Sequence, residues 1–329
     1  MKIDFVVPWV DGNDPAWIED FNKYSSSDRT IDNRTCNYRD FDLLKYWFRG
    51  VEKFASWVNK VYFVTNGQKP SWLNLNNEKL VFVMHSDYMP KNCLPTFSSE
   101  AIEIALNKLP GLAEHFVYFN DDFYLTDYIQ PSFFFRKNIP VDELILSPLV
   151  GSLNSLIGHS QLVNCAIINE HFSKFKFVKN NLIKYFNVKY GLNNFRNLLM
   201  LPFPYISAFL NQHFAQPFLK SVLDEVWSEC SEYCSATQRN RFRSACDVNQ
   251  WLFRYWQLMS GKFFPINLEK QRKYFVLGEK FDDMCDMIKR QRYKEIVIND
   301  SGYNMTDLEQ RNLRNAFDFI LAEKSSFEI

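Results

Sequence analysis

Residues 115–122 are His115-Phe116-Val117-Tyr118-Phe119-Asn120-Asp121-Asp122, an apolar run that ends in two adjacent carboxylates. Burying two unpaired charges costs several kcal/mol or more, so core packing does not explain these acids. In an open α/β sheet, the carboxyl ends of the strands form the ligand crevice. Acids at that edge commonly hold a divalent metal that in turn binds phosphate. The pattern therefore favours a metal and phosphate site after a buried strand, with a polar turn after an edge strand as the alternative.

The sequence on either side of this run alternates between strand-like and helix-like patterns. Short apolar runs predict further strands at residues 3–10, 60–65, 79–84 and 295–298. Apolar residues at helical spacing predict helices at residues 41–54, 98–109, 218–227, 248–259 and 307–321. Asp40 is the predicted N-cap of the first helix, and Ser98 or Ser99 opens the second. Because strands alternate with helices of this length, we predict a Rossmann-like α/β fold with a mainly parallel sheet flanked by helices.

The composition disfavours several classes of protein. The chain has 38 basic and 38 acidic residues, and a net charge of zero disfavours a nucleic-acid binder. The seven cysteines are an odd number without framework-like spacing, which is typical of a reducing compartment. The first residues do not resemble a signal peptide, and the longest apolar window, Leu198–Leu210, is too short to span a bilayer. We therefore expect a soluble, cytoplasmic protein that at most lies against the inner face of the membrane.

Residues 136–212 are predicted to form a basic, mostly helical insertion. Between residues 171 and 223 the chain has seven Lys or Arg residues and no Asp or Glu. One interpretation is an ordinary basic subdomain. The other is a surface that faces an anionic acceptor or an anionic membrane, where each cation contributes about 1 kcal/mol. The sequence leaves both interpretations open.

Two polar clusters near the N-terminus are candidate binding elements. Asp11, Gly12 and Asn13 follow the first predicted strand, where a nucleotide lies in a doubly wound sheet and where glycine lets the backbone approach closely. A plain turn is the alternative. The second cluster contains Arg34, Arg39 and Asp40 and leads into a helix. Because guanidinium groups bind phosphate through paired hydrogen bonds, this cluster predicts a phosphate contact, with a surface Arg–Asp pair as the alternative.

The other two clusters lie at later element ends. Asn120, Asp121 and Asp122 form one, and the fourth contains His213, Arg243, Asp247, Asn299 and Asp300. A lone histidine is more often structural than catalytic, whereas Asn299-Asp300 repeats the strand-exit pattern of Asn120-Asp121. Acids for a metal, arginines for phosphate and one histidine for proton transfer favour phosphoryl-type chemistry over acyl transfer or redox chemistry. The sequence has no Walker loop, GxGxxG or GxSxG motif, which disfavours ATP hydrolysis, dinucleotide cofactors and a serine hydrolase.

These clusters belong to four longer regions that resemble the Stealth proteins. That family includes bacterial capsular polysaccharide phosphotransferases and the catalytic part of the animal lysosomal-enzyme N-acetylglucosamine-1-phosphotransferase. The matching regions, in order, are residues 3–15, residues 37–122 ending in Tyr118-Phe119-Asn120-Asp121-Asp122, residues 213–261 around Phe242-Arg243-Ser244, and residues 297–328 beginning Val297-Ile298-Asn299-Asp300. Two positions depart from the family pattern. Ser98 stands where Asn is usual, and Ala215 stands where Pro is usual.

The resemblance implies transfer of a hexose-1-phosphate from a nucleotide sugar, often UDP-linked, to a sugar hydroxyl, with release of the nucleoside monophosphate. It implies a catalytic set of Asp121, Asp122, His213, Arg243 and Asp300. We expect Mg²⁺ or Mn²⁺ on Asp121, Asp122 or Asp300, charge neutralisation by Arg243 and Arg39, and His213 or an aspartate as general base. The expected substrate-binding residues are Asp11, Gly12, Asn13, Arg34, Arg39, Asp40, Asn120, Asp247 and Asn299.

The same resemblance divides the chain into three predicted parts. Residues 1–135 form a nucleotide-sugar-binding part, residues 136–212 form the insertion or an acceptor-facing subdomain, and residues 213–329 complete the catalytic domain. The expected partners are a nucleotide-sugar donor and a saccharide acceptor, either lipid-linked or polymeric. One alternative is a metal-dependent glycosyltransferase, which would attack the anomeric carbon and release the nucleoside diphosphate. A non-catalytic polysaccharide-binding protein, suggested by the 17% aromatic content, is the other.

Overall fold

The computed structural model describes residues 1–25, 31–32, 38–39, 41–151 and 156–329. Its strands are β1 (Ile3–Pro8), β2 (Ile31–Asp32), β3 (Val61–Thr65), β4 (Leu80–Met84), β5 (His115–Tyr118), β6 (Phe123–Leu125), β7 (Phe135–Arg136), β8 (Ile139–Asp142), β9 (Leu146–Ser147), β10 (Ala208–Phe209), β11 (Gln216–Leu219), β12 (Arg243–Ser244), β13 (Phe264–Pro265), β14 (Arg272–Val276) and β15 (Glu295–Asn299). Its helices are α1 (Pro15–Tyr24), α2 (Leu44–Phe54), α3 (Ser99–Ile104), α4 (Ile157–His171), α5 (Lys174–Asn180), α6 (Leu182–Tyr185), α7 (Asn194–Met200), α8 (Lys220–Glu229), α9 (Ser231–Arg239), α10 (Gln250–Met259), α11 (Phe281–Lys289) and α12 (Asp307–Ile320).

The main sheet has the strand order β11-β5-β1-β3-β4. Strands β5, β1, β3 and β4 are parallel to one another, and β11 is antiparallel to β5. All five residues of β3 are buried, as expected for a parallel strand covered on both faces. The predicted α/β fold with a mainly parallel sheet flanked by helices is therefore confirmed.

A second sheet joins the middle of the chain to its end. Its order is β14-β15-β6, with β15 parallel to β14 and antiparallel to β6. Val297 pairs with Phe123, and the Ile298 amide donates to the Asp122 carbonyl at 3.0 Å. The pairing therefore continues from β6 into the acidic turn, so the turn after β5 lies beside the end of β15.

Buried Asp4 fixes the relative position of three strands. Its carboxylate accepts from the Asn59 side chain at 2.7 Å and from the Ala113 amide at 2.8 Å, just before β3 and β5 begin. Each of these bonds joins β1 to the start of a neighbouring strand. This also holds the carboxyl ends of the three parallel strands in register at the other edge of the sheet.

Several predicted boundaries differ from the structure. Helix α2 begins at Leu44 with Leu43 as N-cap, so the predicted start at 41 is wrong, and the predicted cap, Asp40, lies outside the described residues. Asp42 has a φ of 59°, a left-handed conformation that a helix cannot contain. Phe218 lies in β11 rather than in a helix, because it pairs with Phe116 of β5. Ser98 does cap α3, where its hydroxyl accepts from the Ala101 amide.

The region 136–212 contains helices α4 to α7 and also short strands. Strand β8 pairs with β13, so backbone hydrogen bonds tie this region to the rest of the chain, whereas β9 pairs with β10 within the region itself. Buried apolar residues of α4 and α5 belong to the same apolar core cluster as the main sheet. Within the described ranges, no helix combines the length and apolar character needed to cross a bilayer.

Candidate active site

A cavity of about 520 Å³ lies at the carboxyl edge of the main sheet. Its wall includes Trp9 after β1, Asn66 after β3, His85 after β4 and Asp121 after β5. This is where ligands bind in open α/β sheets, and the volume falls within the range of small-molecule sites. Eight of the predicted site residues line the cavity: Arg39, Asn120, Asp121, Asp122, His213, Arg243, Asn299 and Asp300.

The remaining predicted residues have other positions. Asp11, Gly12, Asn13 and Asp247 are described but do not line the cavity. Arg34 and Asp40 lie outside the described residues.

Asp122 lies in the turn between β5 and β6. Loss of water around its carboxyl raises its pKa well above the ordinary value, and the negative charges of Asp121 and Asp300 raise it further. Its Oδ1 atom is buried and has no hydrogen-bond partner among the described residues. A carboxyl flanked by two others and holding an unpaired oxygen is stabilised in its charged form by a bound cation.

His213 lies beside Asp122 in the cavity wall. Its Nε2 lies 3.9 Å from Asp122 Oδ2, which is too long for a hydrogen bond. Phe123 and Tyr274 contact the imidazole edge-on, with ring centroids 4.8 Å and 5.8 Å away. Burial lowers the pKa of His213 to about 4, and the charge of Arg243 contributes in the same direction. The ring is therefore neutral at pH 7 and able to accept a proton.

A buried ion pair fixes the segment that follows His213. Glu295, at the start of β15, accepts from the Ala215 amide at 2.7 Å and from Arg272 Nε at 2.9 Å. The Glu295 and Arg272 side chains are almost completely buried, so their geometry is constrained on all sides. Since Ala215 is two residues from His213, this contact orients the histidine towards the cavity.

Arg39 and Asp300 form a two-pronged ion pair at the cavity wall. Arg39 Nε donates to Asp300 Oδ2 at 2.7 Å, and an Nη donates to Oδ1 at 2.5 Å. Arg39 also donates to Asn304 Oδ1 at 2.9 Å. Because both Asp300 oxygens accept from Arg39, this carboxylate orients the guanidinium in the conformation observed.

Arg243 approaches the cavity from β12. It donates to the Ser99 hydroxyl at 2.9 Å, at the start of α3. Asp247 is fully buried behind it and accepts from the Ser244 amide at 2.7 Å and the Asn240 side chain at 2.6 Å. These bonds fold the segment around Arg243, so Asp247 acts on the site through the position of Arg243 rather than by lining it.

The Asp11 turn also acts indirectly. The Asp11 carboxylate accepts from the Asn13 amide at 2.9 Å. The Gln68 side chain accepts from the Asp11 amide and donates to the Asp11 carbonyl. A Cβ on Gly12 would lie 2.3 Å from the Tyr38 carbonyl oxygen, so only glycine fits there. The turn therefore fixes Tyr38, which lines the cavity next to Arg39.

Two groups near the cavity were missed by the sequence analysis. His85 follows β4 directly, is buried, and has an Nε2 atom without a hydrogen-bond partner among the described residues. The strand-exit pattern used for Asp121 could have identified it. Glu100 and Glu103 of α3 are buried near Arg243, and burial raises the pKa of each. The sequence of α3 has the pattern of an amphipathic helix, so nothing in it distinguishes these two glutamates from surface acids.

The carboxylates of the cavity suit a divalent cation that has few protein ligands. Across the described ranges, no group of three or more His, Cys, Asp or Glu side chains has the geometry of a metal site. Mg²⁺, however, commonly takes only one or two carboxylates and completes its shell with water and substrate phosphate. Asp121 and Asp122, with the unpaired Oδ1 of Asp122, fit that smaller requirement.

Two solved glycosyltransferase structures show low overall similarity to the chain. The galactosyltransferase LgtC aligns over 96% of both chains, with 8% identity and a TM-score of 0.41. Mouse xyloside xylosyltransferase 1 aligns over 92% of this chain and 99% of its own, with 11% identity and a TM-score of 0.37. Values this low carry no argument about function.

Sequence comparison gives a much closer match. Stealth protein conserved region 1 matches residues 1–29, and conserved region 2 matches residues 37–142. The capsular polysaccharide phosphotransferase WcwK of Streptococcus pneumoniae is 41% identical over 99% of this chain and 98% of its own. The receptor polysaccharide phosphotransferase WefC of Streptococcus gordonii is 42% identical over 100% and 99%. The exopolysaccharide phosphotransferase cps2G of Lactiplantibacillus plantarum is 37% identical over 99% and 96%. With this identity along its whole length and the cavity described above, the chain belongs to the Stealth family of polysaccharide phosphotransferases.

Proposed function

We propose that the enzyme transfers a hexose-1-phosphate from a nucleotide sugar to a hydroxyl of a capsular or cell-surface polysaccharide precursor. The observation that carries this proposal is that one cavity brings together three carboxylates, two arginines and a neutral histidine. The acids and arginines suit a diphosphate, and the histidine suits an alcohol that must lose a proton. The names of the relatives, which are all polysaccharide phosphotransferases, support the same substrate class.

The donor diphosphate would lie between the acidic turn and the arginines. Asp121 and Asp122 would hold Mg²⁺ or Mn²⁺, which would offset the charge of the diphosphate. Arg243 would donate to the oxygens of the phosphorus under attack, where negative charge increases in the transition state. Arg39, oriented by Asp300, would contact the same region of the donor from the opposite wall.

His213 would act as the general base. As the acceptor oxygen bonds to the donor's sugar-linked phosphorus, Nε2 takes the hydroxyl proton. The bond from that phosphorus to the bridging oxygen breaks, and the nucleoside monophosphate leaves. The imidazole is suited to this role because burial keeps it neutral near pH 7 and the Glu295 contact fixes its approach. Asp122, 3.9 Å from the ring, is the alternative base.

The nucleoside would occupy the other end of the cavity. His85 and Asn66 lie there, after neighbouring strands β4 and β3, away from the acidic turn after β5. Burial lowers the pKa of His85 to about 4, so its ring is neutral and its free Nε2 can accept or donate one hydrogen bond. Replacing His85 with Phe should therefore raise the donor KM with little effect on kcat.

The identity of the released nucleotide tests the proposal. The enzyme is incubated with a panel of nucleotide sugars and a polysaccharide-repeat acceptor, and the products are separated by anion-exchange chromatography. We expect the nucleoside monophosphate, and UMP from a UDP-sugar. Release of UDP would instead identify a metal-dependent glycosyltransferase, which could use the same acids but attacks the anomeric carbon. A chain that releases neither nucleotide with any donor would be a binding protein.

A further inference from the structure

The helices α5 to α7 and the loops around them expose an unusual number of large apolar side chains. Ten of the 24 exposed large apolar side chains in the described ranges occur between residues 175 and 205. We call these ten the outer face: Phe175, Leu182, Ile183, Val188, Leu192, Phe195, Leu198, Leu199, Phe203 and Tyr205. Scattered exposed apolar residues need no explanation, but a concentrated set marks an interaction surface.

The packing of α7 is reversed relative to an ordinary surface helix. In α7, Asn197 is fully buried, whereas Leu198 and Leu199 are 52% and 72% exposed. The Asn197 amide donates to the carbonyls of Leu144 and Tyr185 at 2.8 Å and 2.7 Å. A surface helix normally turns its apolar side chains inward and its polar ones to water. Here a buried amide attaches the helix, so the leucines remain available for a partner.

Helix α5 buries the apolar Phe177 and Val178, but its first turn shows an exchange like that of α7. The Lys174 ammonium is buried and donates to the carbonyls of Met200 and Phe203, while Phe175 is 49% exposed. Burying a lysine while exposing a phenylalanine is unfavourable for a helix whose outer side contacts only water. Helix α7 therefore presents leucines outward, and the first turn of α5 adds Phe175.

Charge distinguishes the classes of partner. Lys176, Lys179, Lys189 and Arg196 are exposed among the outer-face residues, and the sequence has no acidic residue between 171 and 223. Interfaces with proteins usually tolerate both signs of charge at their rim. Exposed apolar and aromatic side chains interspersed with cations, without acids, are typical of segments that lie in the interface of an anionic bilayer.

We propose that the outer face docks the enzyme on an anionic lipid bilayer, with its apolar side chains at the level of the acyl chains and its cations among the headgroups. Tyr205 is eight residues from His213, so the two are at most about 28 Å apart. The cavity would thus lie near the membrane surface. Docking itself does not depend on the reaction, whereas delivery of a lipid-linked acceptor to the cavity rests on the proposed function.

Vesicle sedimentation tests the docking directly. The full chain is mixed with vesicles of phosphatidylcholine alone or with about one quarter phosphatidylglycerol, and the bound fraction is measured. We expect binding only to the anionic vesicles, weakened by added salt. Lys176→Ser with Lys179→Ser should weaken binding about 30-fold, at about fivefold for each cation. Lys2→Ser with Lys91→Ser, which removes the same charge elsewhere on the surface, should leave binding unchanged.

The contribution of the apolar side chains to vesicle binding is tested with a separate variant and its control. Leu198→Ser with Leu199→Ser should weaken binding at least about tenfold, because the variant has no leucine side chains to bury in the bilayer at these two positions. Leu308→Ser with Phe319→Ser, exposed on α12, should have no effect. Release of nucleotide with a soluble acceptor should be the same in all four variants, and their melting temperatures confirm folding.

Three results would overturn the inference. One is a wild-type protein that does not bind anionic vesicles, a result that needs no variant. A second is equal loss of binding in the outer-face and control variants. The third is concentration-dependent self-association that Leu198→Ser with Leu199→Ser abolishes in the absence of vesicle binding, which would make the outer face an interface between copies of the chain.

Discussion

The ion pair of Arg39 and Asp300 offers a prediction that separates two roles for Asp300. The carboxylate either holds a metal, as the sequence suggested, or orients Arg39, as the two hydrogen bonds at 2.7 Å and 2.5 Å indicate. Replacing Asp300 with Asn keeps the size of the side chain but removes the charge and one acceptor. If Asp300 orients Arg39, the variant should lose activity without changing its requirement for metal.

The size of the expected loss of activity follows from how far the Arg39–Asp300 ion pair is exposed to water. Removing one partner of a hydrogen-bonded charge pair costs about 2–5 kcal/mol when the pair is desolvated. Here the side chains are 29% and 14% exposed, so water weakens the interaction and the lower end applies. A loss of about 2 kcal/mol corresponds to about a 30-fold decrease in kcat/KM. Arg39→Gln should cause a decrease of similar size.

A double-variant cycle supplies the assay. Release of nucleoside monophosphate is measured for Asp300→Asn, Arg39→Gln and the combined variant, each across a range of Mg²⁺ concentrations. Because each single variant removes the same interaction, the combined variant should be no worse than either one, and half-maximal activation should occur at the wild-type Mg²⁺ concentration. Additive losses, or a large increase in the Mg²⁺ needed by Asp300→Asn alone, would refute the positioning role.

Three further predictions concern the proton acceptor, the buried acid and the glycine turn. His213→Ala should abolish turnover while calorimetry shows nearly unchanged binding of the nucleotide sugar, and full activity would exclude the histidine as base. Burial raises the pKa of Glu100 to about 8, so folding favours its protonated form and stability should fall as the pH rises from about 4.5 to 8. In urea melts, Glu100→Gln should reduce that fall, and an unchanged pH dependence would contradict the assignment. Gly12→Ala should lower activity strongly because its Cβ meets the Tyr38 carbonyl, whereas Gly151→Ala, whose Cβ meets no atom of the described residues within 4 Å, should be neutral.

The main sheet could be predicted because each of its strands has a local signature in the sequence. Strands such as β3 and β5 are short apolar runs bounded by turn residues, and a chain that alternates such runs with helices has few possible topologies. The acids after β5 could be placed at the cavity for the same reason. Element ends were less predictable, and the start of α2 depended on the left-handed conformation of Asp42, which has no signature in the sequence.

Roles that depend on distant contacts could not be predicted. Nothing near Asp300 in the sequence indicates that Arg39, 261 residues away, occupies both of its oxygens. The resemblance implies that Asp247 binds substrate, but Asp247 is fully buried and does not line the cavity. The Arg34 and Asp40 assignments lie outside the described residues and stay predictions.

The pairing of β6 with β15 has a consequence for how the enzyme acquires activity. It brings Phe123 against Val297 and sets the acidic turn beside Asn299 and Asp300, so the cavity is completed by a contact between very distant parts of the chain. Closing so long a loop costs entropy before the contact forms, so we expect this contact to form late in folding. Donor binding should therefore appear only when the last strand has docked, and a bound nucleotide sugar should in turn stabilise that docking. Binding of the proposed donor is thus expected to measure completed folding.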